Sequence, residues 1–571
     1  MSITGARYIV EFLYSQGVRT MAGIPGGSIL PLYDAIVRQG KIRHVLARHE
    51  QGAAFMAQGM ARLTGRPGVC LATSGPGSTN LVTAIADARR DSVPLVCLTG
   101  QVPLAQLGTE AFQEVDIVAV TRTITKSSRM VRQARELPQA LAEAFGLATS
   151  GRPGPVLLDI PRDVQTQAMD EAELLPIERL DAPSPPGPKR WDVSRAAAMI
   201  NASRRPVLLL GGGAGRGQAP ELARGLAEKA CLPVTMTLMG LGALPAGHGL
   251  NLGMHGMHGH VPANRALQDC DLLIAVGSRF DDRATGQVES FCPKARIIHI
   301  NLDATEIGRV LRADVGIVSD AALALAAILP IVERRERREW LGRIERFKAE
   351  AGLTGKAAHR CRAREVIAMA AGKLRPDAVV VTDVGQHQMF VAQDFPFARS
   401  GRWLTSGGLG VMGFGLPAAI GAALAEPQAQ VICFSGDGSL KMNIQELATL
   451  ADTGANVKVV VLDNQSLGLV AQQQRLFFQG RKSASRFARS TDFAAVAEAF
   501  GVPGVELETS PDPGAALEQA LDSHGPALIH ARVDREAMVF PFVPPGAPNS
   551  EMLHASPENT ERLMPRTASM S

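Results

Sequence analysis

Short apolar runs recur along the chain, at 19–23, 45–48, 68–73, 95–99 and 156–159, then at 207–210, 234–237, 272–276 and 297–300, and again at 379–382, 431–434 and 457–462. Between them lie segments of helical period such as 51–63, with Gly- or Pro-marked turns at the joins. Uninterrupted apolar runs bounded by turns are strands buried on both faces, and their alternation with helices predicts parallel sheets covered by helices. The pattern therefore predicts an α/β fold of three doubly wound parallel-sheet domains. Their expected limits are 1–165, 193–335 and 365–545. A Pro-rich linker at 166–192, a charged helix and linker at 336–364, and a tail at 546–571 complete the chain. Beyond His554 the composition predicts disorder.

The most informative unit runs from Val431 to Leu469. An apolar run ends on Gly436-Asp437-Gly438, a helical pattern follows from about Met442, and a second β-branched run ends on Asp463-Asn464. This is one βαβ unit, and its right-handed crossover makes the strands parallel, so Asp437 and Asn464 meet at one sheet edge. One carboxylate and one neutral carbonyl oxygen make an incomplete magnesium shell, because Mg²⁺ takes six hard oxygens, commonly from one or two carboxylates plus phosphates. A diphosphate is the expected remainder. Asp-Gly pairs are often simple turns, so the inference rests on spacing and sheet context.

Composition narrows the class. A chain of 571 residues exceeds one core, and a net charge of +4 with interleaved signs does not favour nucleic acid. The run 333–348, rich in Arg and Glu, reads as a solvated helix face. Cys70, Cys97, Cys231, Cys270, Cys292, Cys361 and Cys433 are scattered without CxxC spacing, as expected of reduced thiols in a cytoplasmic protein. The N-terminus reads as an amphipathic helix, and 411–425 is too short and too interrupted to span a membrane.

Two further strand ends carry chemistry. Val45–Glu50 runs an apolar strand into a carboxylic acid at a strand–helix junction; unpartnered, that acid would have its pKa raised by desolvation, as suits a proton donor, whereas the bland reading is a first-turn Glu facing the helix dipole. Ser74–Asn80 is a Gly-rich turn opening a helix, able to bring N–H groups to a ligand or simply to pack closely. Gly211–Gly215 follows a strand but is a weak dinucleotide fingerprint. His255, His258 and His260 have no metal-ligand spacing.

Blocks along nearly the whole chain resemble the acetohydroxyacid synthase (acetolactate synthase) catalytic-subunit family of thiamine-diphosphate enzymes. They include PGGSILPLYDA, RHEQGAAFMAQGMAR, SGPGSTNLVTAIADA, RPVLLLGGG, GSRFDDRATG and the GDG…Asn pair. The resemblance implies a pyrimidine-binding domain, a central FAD-binding domain and a diphosphate-binding domain, with thiamine diphosphate, Mg²⁺ and FAD as cofactors. Glu50 would protonate N1′ of the aminopyrimidine, promoting ionisation at C2 of the thiazolium, with Gln113 and Gly27 beside the reacting carbons. Thiamine diphosphate would be held by Glu50, Gly385, Gln386, His387, Gly410, Met412, Asp437, Gly438, Ser439, Asn464, Gly468 and Leu469. Met412 is the expected apolar wedge that bends the cofactor, and Asp437, Asn464 and the backbone at Ser466 are the expected Mg²⁺ ligands.

By the same resemblance FAD would lie on Arg152, Gly211, Gly212, Gly213, Thr237, Leu238, Met239, His258, Gly277, Arg279, Arg283, Asn301 and Asp320, in a structural role. Asn301 replaces a common aspartate. Gly26, Pro103, Phe112, Lys126, Met257 and Gln473 would line the substrate channel. The family further implies active sites built from two chains, a small regulatory subunit, and a segment near 540–550 closing beside the site. Gln473 stands where many members have tryptophan, and Ala105 where a more polar residue is common, which points to pyruvate as favoured acceptor over 2-ketobutyrate. The implied reaction is decarboxylation of pyruvate and carboligation to a second 2-keto acid, for branched-chain amino acid biosynthesis. Alternatives are another thiamine-diphosphate/FAD decarboxylase or pyruvate oxidase, an FAD/nucleotide dehydrogenase, and a non-catalytic paralogue.

Overall fold

The structure, a computed structural model, describes residues 2–170, 179–180, 184–355 and 361–554. Parts of both expected linkers and the segment expected to be disordered, 555–571, lie outside the described residues. Three parallel six-stranded sheets form the framework. In chain order the first sheet contains Thr20–Gly23, Arg43–Leu46, Gly68–Ala72, Leu95–Gln101, Ser127–Met130 and Pro155–Pro161, placed side by side as 2-1-3-4-6-5. The third sheet contains Val379–Thr382, Trp403–Leu404, Val431–Gly436, Val457–Asp463, Gly504–Glu506 and Ala527–Arg532, in the same order. The middle sheet contains Pro206–Leu210, Val234–Met236, Asn251–Met254, Leu272–Val276, Arg296–Asn301 and Val315–Val318, ordered 3-2-1-4-5-6. In each sheet the order reverses beside the first strand. Crevices at such reversals, outside the carboxyl ends of the strands, are where α/β proteins bind ligands.

The central strands are buried on both faces, which is why they read as unbroken apolar runs: Val431–Gly436 and Val457–Asp463 are buried at every position. The first and third domains share one apolar core. Its centre is the contact between helix Glu50–Thr64 and helix Gly415–Ala425, both dominated by small residues. A Cβ at Gly59 would lie 2.1 Å from the Ala418 carbonyl oxygen, and one at Gly421 would lie 2.0 Å from that of Met56, so the backbones touch.

Several local expectations are corrected. Strands at Ser127–Met130, Asn251–Met254, Val315–Val318, Trp403–Leu404, Gly504–Glu506 and Ala527–Arg532 carry too little unbroken apolar pattern to be read in advance. The expected strand into Glu50 ends at Leu46, and Ala47-Arg48-His49 forms a connector. No helix starts at Met442: Asp437–Leu440 forms one short helix and Glu446–Thr453 the next. The basic run is not wholly solvated. Arg337 is 7% exposed, its guanidinium donating to the Ala230 and Ile200 carbonyls. All seven cysteines are free thiols.

Candidate active site

In the third domain three helices start where strands end. Helix Gln386–Asp394 follows Val379–Thr382, helix Asp437–Leu440 follows Val431–Gly436, and helix Gly468–Phe477 follows Val457–Asp463. Their unsatisfied N–H groups and dipole ends point at the switch-point crevice, a ready site for an anion. Gln386 ties the first of these turns to the third. Its Oε1 accepts from Asn464 Nδ2 at 3.0 Å, and its Nε2 donates to the Ala537 carbonyl at 2.8 Å and to Gln472 Oε1 at 3.2 Å. Gly468 and Gly436 leave room for this arrangement, since a Cβ would meet Gln386 Oε1 at 2.0 Å and His387 Nδ1 at 2.7 Å respectively.

Two buried polar atoms here lack any partner: Asp437 Oδ2 and His387 Nε2. Asp437 is pushed up to about 7, first by burial and then by the adjoining Asp463 carboxylate. A carboxylate so placed is suited to a cation, which supplies the missing charge and partner. Asn464 is partly exposed; its Oδ1 accepts the Ser466 N–H at 3.0 Å, turning the loop. Ser439 Oγ donates to the Val384 carbonyl at 2.6 Å, and burial pushes His387 down to about 3, keeping it neutral.

Beside Asp463 the structure places a buried histidine between two carboxylates, which the sequence did not signal. His530 Nε2 lies 3.1 Å from Asp463 Oδ2, and Nδ1 lies 2.6 Å from Glu506 Oε2. Burial alone would lower His530, but the two carboxylates outweigh it and raise it; Asp463, which burial alone would raise, is held below its ordinary value by that histidine and the Gln465 N–H. Asp492, Glu506 and His530 are the one cluster of metal-ligating type among the described residues. Also unforeseen is Asp383, fully buried. It accepts from the N–H groups of Val384, Gly413 and Gly415 and fixes the loop that carries Gly410 and Met412.

The first domain gathers a second set. Glu50 heads helix Glu50–Thr64, is 8% exposed, and accepts from Asn80 Nδ2 at 2.9 Å, so it does have a partner. The connector before it is fixed by Glu446 of the third domain, whose Oε1 accepts the Arg48 and His49 N–H groups, each at 3.0 Å. Gln113 has φ +63°, a conformation unusual for a side-chain-bearing residue, and packs on Gly75 in the turn that provides Asn80. Gly26 abuts Thr73, and Gly27 faces open space. Pro103 begins a short turn, Phe112 is 89% exposed, and Gln473 is exposed while its neighbour Gln472 points inward to Gln386 and Val539. Lys126 donates to the Ser150 carbonyl and is lowered to about 8, mainly by burial. No hydrogen bond among the described residues joins Glu50 or Gln113 to Asp437 or Asn464.

In the middle domain Gly211–Gly213 and Gly277–Arg279 face each other across the switch point; the Gly213 N–H donates to the Gly277 carbonyl, and a Cβ at Gly211 would clash with that carbonyl at 2.2 Å. Thr237, Leu238 and Met239 form the next loop, with Met239 against Gly212. Ser278 Oγ and His258 Nδ1 are buried without partners. Open glycine backbone with orphan polar atoms suits a nucleotide cofactor such as FAD. Other expected contacts serve local structure: Asp320 caps helix Ala321–Ile328, Asn301 donates to the Ser278 carbonyl, and Arg152 pairs with Glu306 at 3.0 Å. The segment 540–553 crosses this domain, with the Val543 N–H donating to the Met257 carbonyl and the Phe542 ring tilted against His258, centroids 5.2 Å apart. A cavity of about 250 Å³ lies there between Met257, Arg283, Val543 and Asn549. His255 Nδ1 bonds the Met236 carbonyl and His260 Nε2 the Gln393 carbonyl.

These are the features of a thiamine-diphosphate enzyme. The thiamine pyrophosphate enzyme family matches in three parts: its N-terminal TPP binding domain over 3–120, its central domain over 193–328, and its C-terminal TPP binding domain over 383–531. The chain belongs to this family and, within it, to the acetolactate synthase large subunits. It is 52% identical to the acetolactate synthase isozyme 1 large subunit of Escherichia coli, over 96% of this chain and 97% of that one. It is 45% identical to the isozyme 2 large subunit of the same organism, over 96% and 99%. The acetolactate synthase large subunit of Corynebacterium glutamicum is 43% identical, over 97% and 90%. Among the described residues no helix is long and apolar enough to cross a membrane.

Proposed function

We propose that this chain decarboxylates pyruvate and joins the resulting two-carbon unit to a second 2-keto acid, as the acetolactate synthase reaction of branched-chain amino acid biosynthesis. The observation that carries the reading is the crevice where Asp437 Oδ2 and His387 Nε2 lie buried and unpartnered beside three helix N-termini. Asp437 and Asn464, with backbone at Ser466, would hold Mg²⁺, and Gln386, His387, Gly438 and Ser439 the diphosphate. Bound thiamine diphosphate supplies the thiazolium that accepts the electrons of the breaking carbon–carbon bond. Glu50 holds a proton for the aminopyrimidine, with Asn80 fixing its carboxylate. Gln113 orients the substrate carbonyl, and Met412 supports the cofactor from below.

Glu50 and Asp437 belong to different domains and share no hydrogen bond within one chain, which supports a site completed by a second copy, Glu50 from one chain serving the crevice of the other. The naming of relatives as large subunits supports a small regulatory subunit as a further partner. Gln473 and Ala105 support pyruvate as the favoured acceptor, giving 2-acetolactate.

The test is acetolactate formation from pyruvate by the purified protein, with thiamine diphosphate, Mg²⁺ and FAD each omitted in turn. Product dependent on all three, with the flavin staying oxidised, is expected. Glu50→Gln should lower turnover at least about 100-fold with cofactor binding retained. Acetaldehyde or bleached flavin in place of acetolactate overturns the reading, and mostly acetohydroxybutyrate from an equal mixture of pyruvate and 2-ketobutyrate overturns the acceptor choice.

A further inference from the structure

The loop 406–413 of the third domain, which carries Met412, is gripped at its beginning by the first domain. Asp91 accepts both the Gly407 N–H, at 3.0 Å, and the Gly408 N–H, at 2.7 Å. Asp87 accepts from Ser406 Oγ, and that same oxygen accepts the Val411 N–H at 2.8 Å, one residue before Met412. Arg62 holds the two acids in place: Nη2 lies 2.9 Å from Asp91 Oδ2 and 3.5 Å from Asp87 Oδ2, with side chains 8% exposed for Arg62 and 0% for both acids. The far end of the loop is fixed separately, by Asp383 and by Asn443 Nδ2 donating to the Gly413 carbonyl at 2.7 Å. Between the two anchors lie Leu409 and Gly410, which are exposed, and Val411 and Met412, which are half-buried. Gly407 and Gly408 pass where no side chain fits, since a Cβ would meet Met239 Sδ at 2.3 Å and Asp91 Oδ1 at 2.8 Å.

We infer that Asp91, Asp87 and Arg62 are positioning residues for the thiamine-diphosphate site. They belong to a different domain from the diphosphate anchor, and act by holding the loop so that Met412 stands at a fixed height under the cofactor. The inference rests on the reading of Met412 as the wedge. Small misplacements of a positioning group cost rate far more than they cost binding.

The experiment uses the full-length protein with thiamine diphosphate, Mg²⁺ and FAD, and reads kcat, KM for pyruvate and the near-ultraviolet circular dichroism of the bound cofactor's aminopyrimidine. Ser406→Ala removes the link from Asp87 to the Val411 N–H and leaves the Arg62 pairs intact. Asp91→Asn removes one of the two acceptors. Both should lower kcat roughly tenfold or more with KM changed less than about twofold, and both should diminish the dichroism band. Ser406→Thr, which keeps the hydroxyl, should restore both readouts, an outcome that general loosening of the fold would not produce. Met412→Ala is the reference. If it loses rate and dichroism while Ser406→Ala and Asp91→Asn keep them, the clamp is overturned and the wedge stands. If Met412→Ala keeps both, the wedge reading falls and the clamp's role with it. Should Asp91→Asn fail to fold, Ser406→Ala alone decides.

Discussion

Gly468 shows how one missing side chain shapes the candidate site. A Cβ there would lie 2.0 Å from Gln386 Oε1 and 2.7 Å from Asn464 Nδ2, two groups that are hydrogen-bonded to each other. Gly468→Ala therefore has to drive Gln386 and Asn464 apart. We expect thiamine-diphosphate affinity to fall about tenfold, about 1.4 kcal/mol, in a fluorescence titration, with little change in melting temperature. Unaltered affinity would show that Gln386 has no part in holding the cofactor. At this scale, residues at strand ends were legible in the sequence. Asp437 and Asn464 follow β-branched runs, and such runs end at the crevice. Asp383, Gln472, Glu446 and His530 were not legible, because each derives its role from a partner far along the chain. Glu446 meets the Arg48 and His49 N–H groups, and nothing in its local pattern announces that contact.

Helix Glu50–Thr64 and helix Gly415–Ala425 form the tightest joint between elements, and Gly59 and Gly421 make it possible. An added methyl at Gly421 meets the Met56 carbonyl oxygen at 2.0 Å, a backbone atom that cannot swing aside. Gly421→Ala should destabilise by about 1–3 kcal/mol or more, seen as a lowered melting temperature, since overpacking forces backbone shifts. Gly146 in helix Leu137–Thr149 is the control, with no atom within 4 Å of an added Cβ; Gly146→Ala should be neutral or stabilising by up to about 1 kcal/mol. Equal effects at the two sites would contradict the contact. Long, fully buried strands were legible because burial on both faces leaves an unbroken apolar signature. Edge strands were not: Trp403–Leu404 is buried but only two residues long, and Gly504–Glu506 is three half-buried residues. Ser127–Met130, with four half-buried residues, is of the same kind.

For the molecule as a whole, buried ionisable groups set opposing responses to acid. Burial pushes His255 and His258 down to about 4, so the folded protein keeps them neutral while the unfolded chain protonates them near 6.5. Stability from these groups is therefore present above pH 6.5 and lost as the pH falls towards 4. Asp87 and Asp159 act the other way. Burial raises both to about 7, so the folded state keeps protons that the unfolded chain releases, and stability is gained as the pH falls from 7 towards 4. His255→Gln retains a donor for the Met236 carbonyl but cannot titrate. Relative to the parent it should gain up to about 1.4 kcal/mol per pH unit between about pH 6 and 4.5, read from thermal or denaturant unfolding at each pH. Parallel curves for parent and variant would mean that His255 already titrates in the folded state. The three-sheet plan was legible at this scale from the alternation of runs and helices. The repeated 2-1-3-4-6-5 order was not, because pairing between distant strands leaves no local trace. The joint at Gly59 and Gly421 has one more consequence in the two-chain assembly proposed above. Glu50 would serve the neighbour's crevice, while the helix it heads is locked to the helix that follows Met412 in its own. Each chain is then a stiff beam with the working part of a different catalytic centre at either end. The spacing between those two ends would be set by the backbone itself, since no side chain stands between the helices at Gly59 and Gly421 to give way.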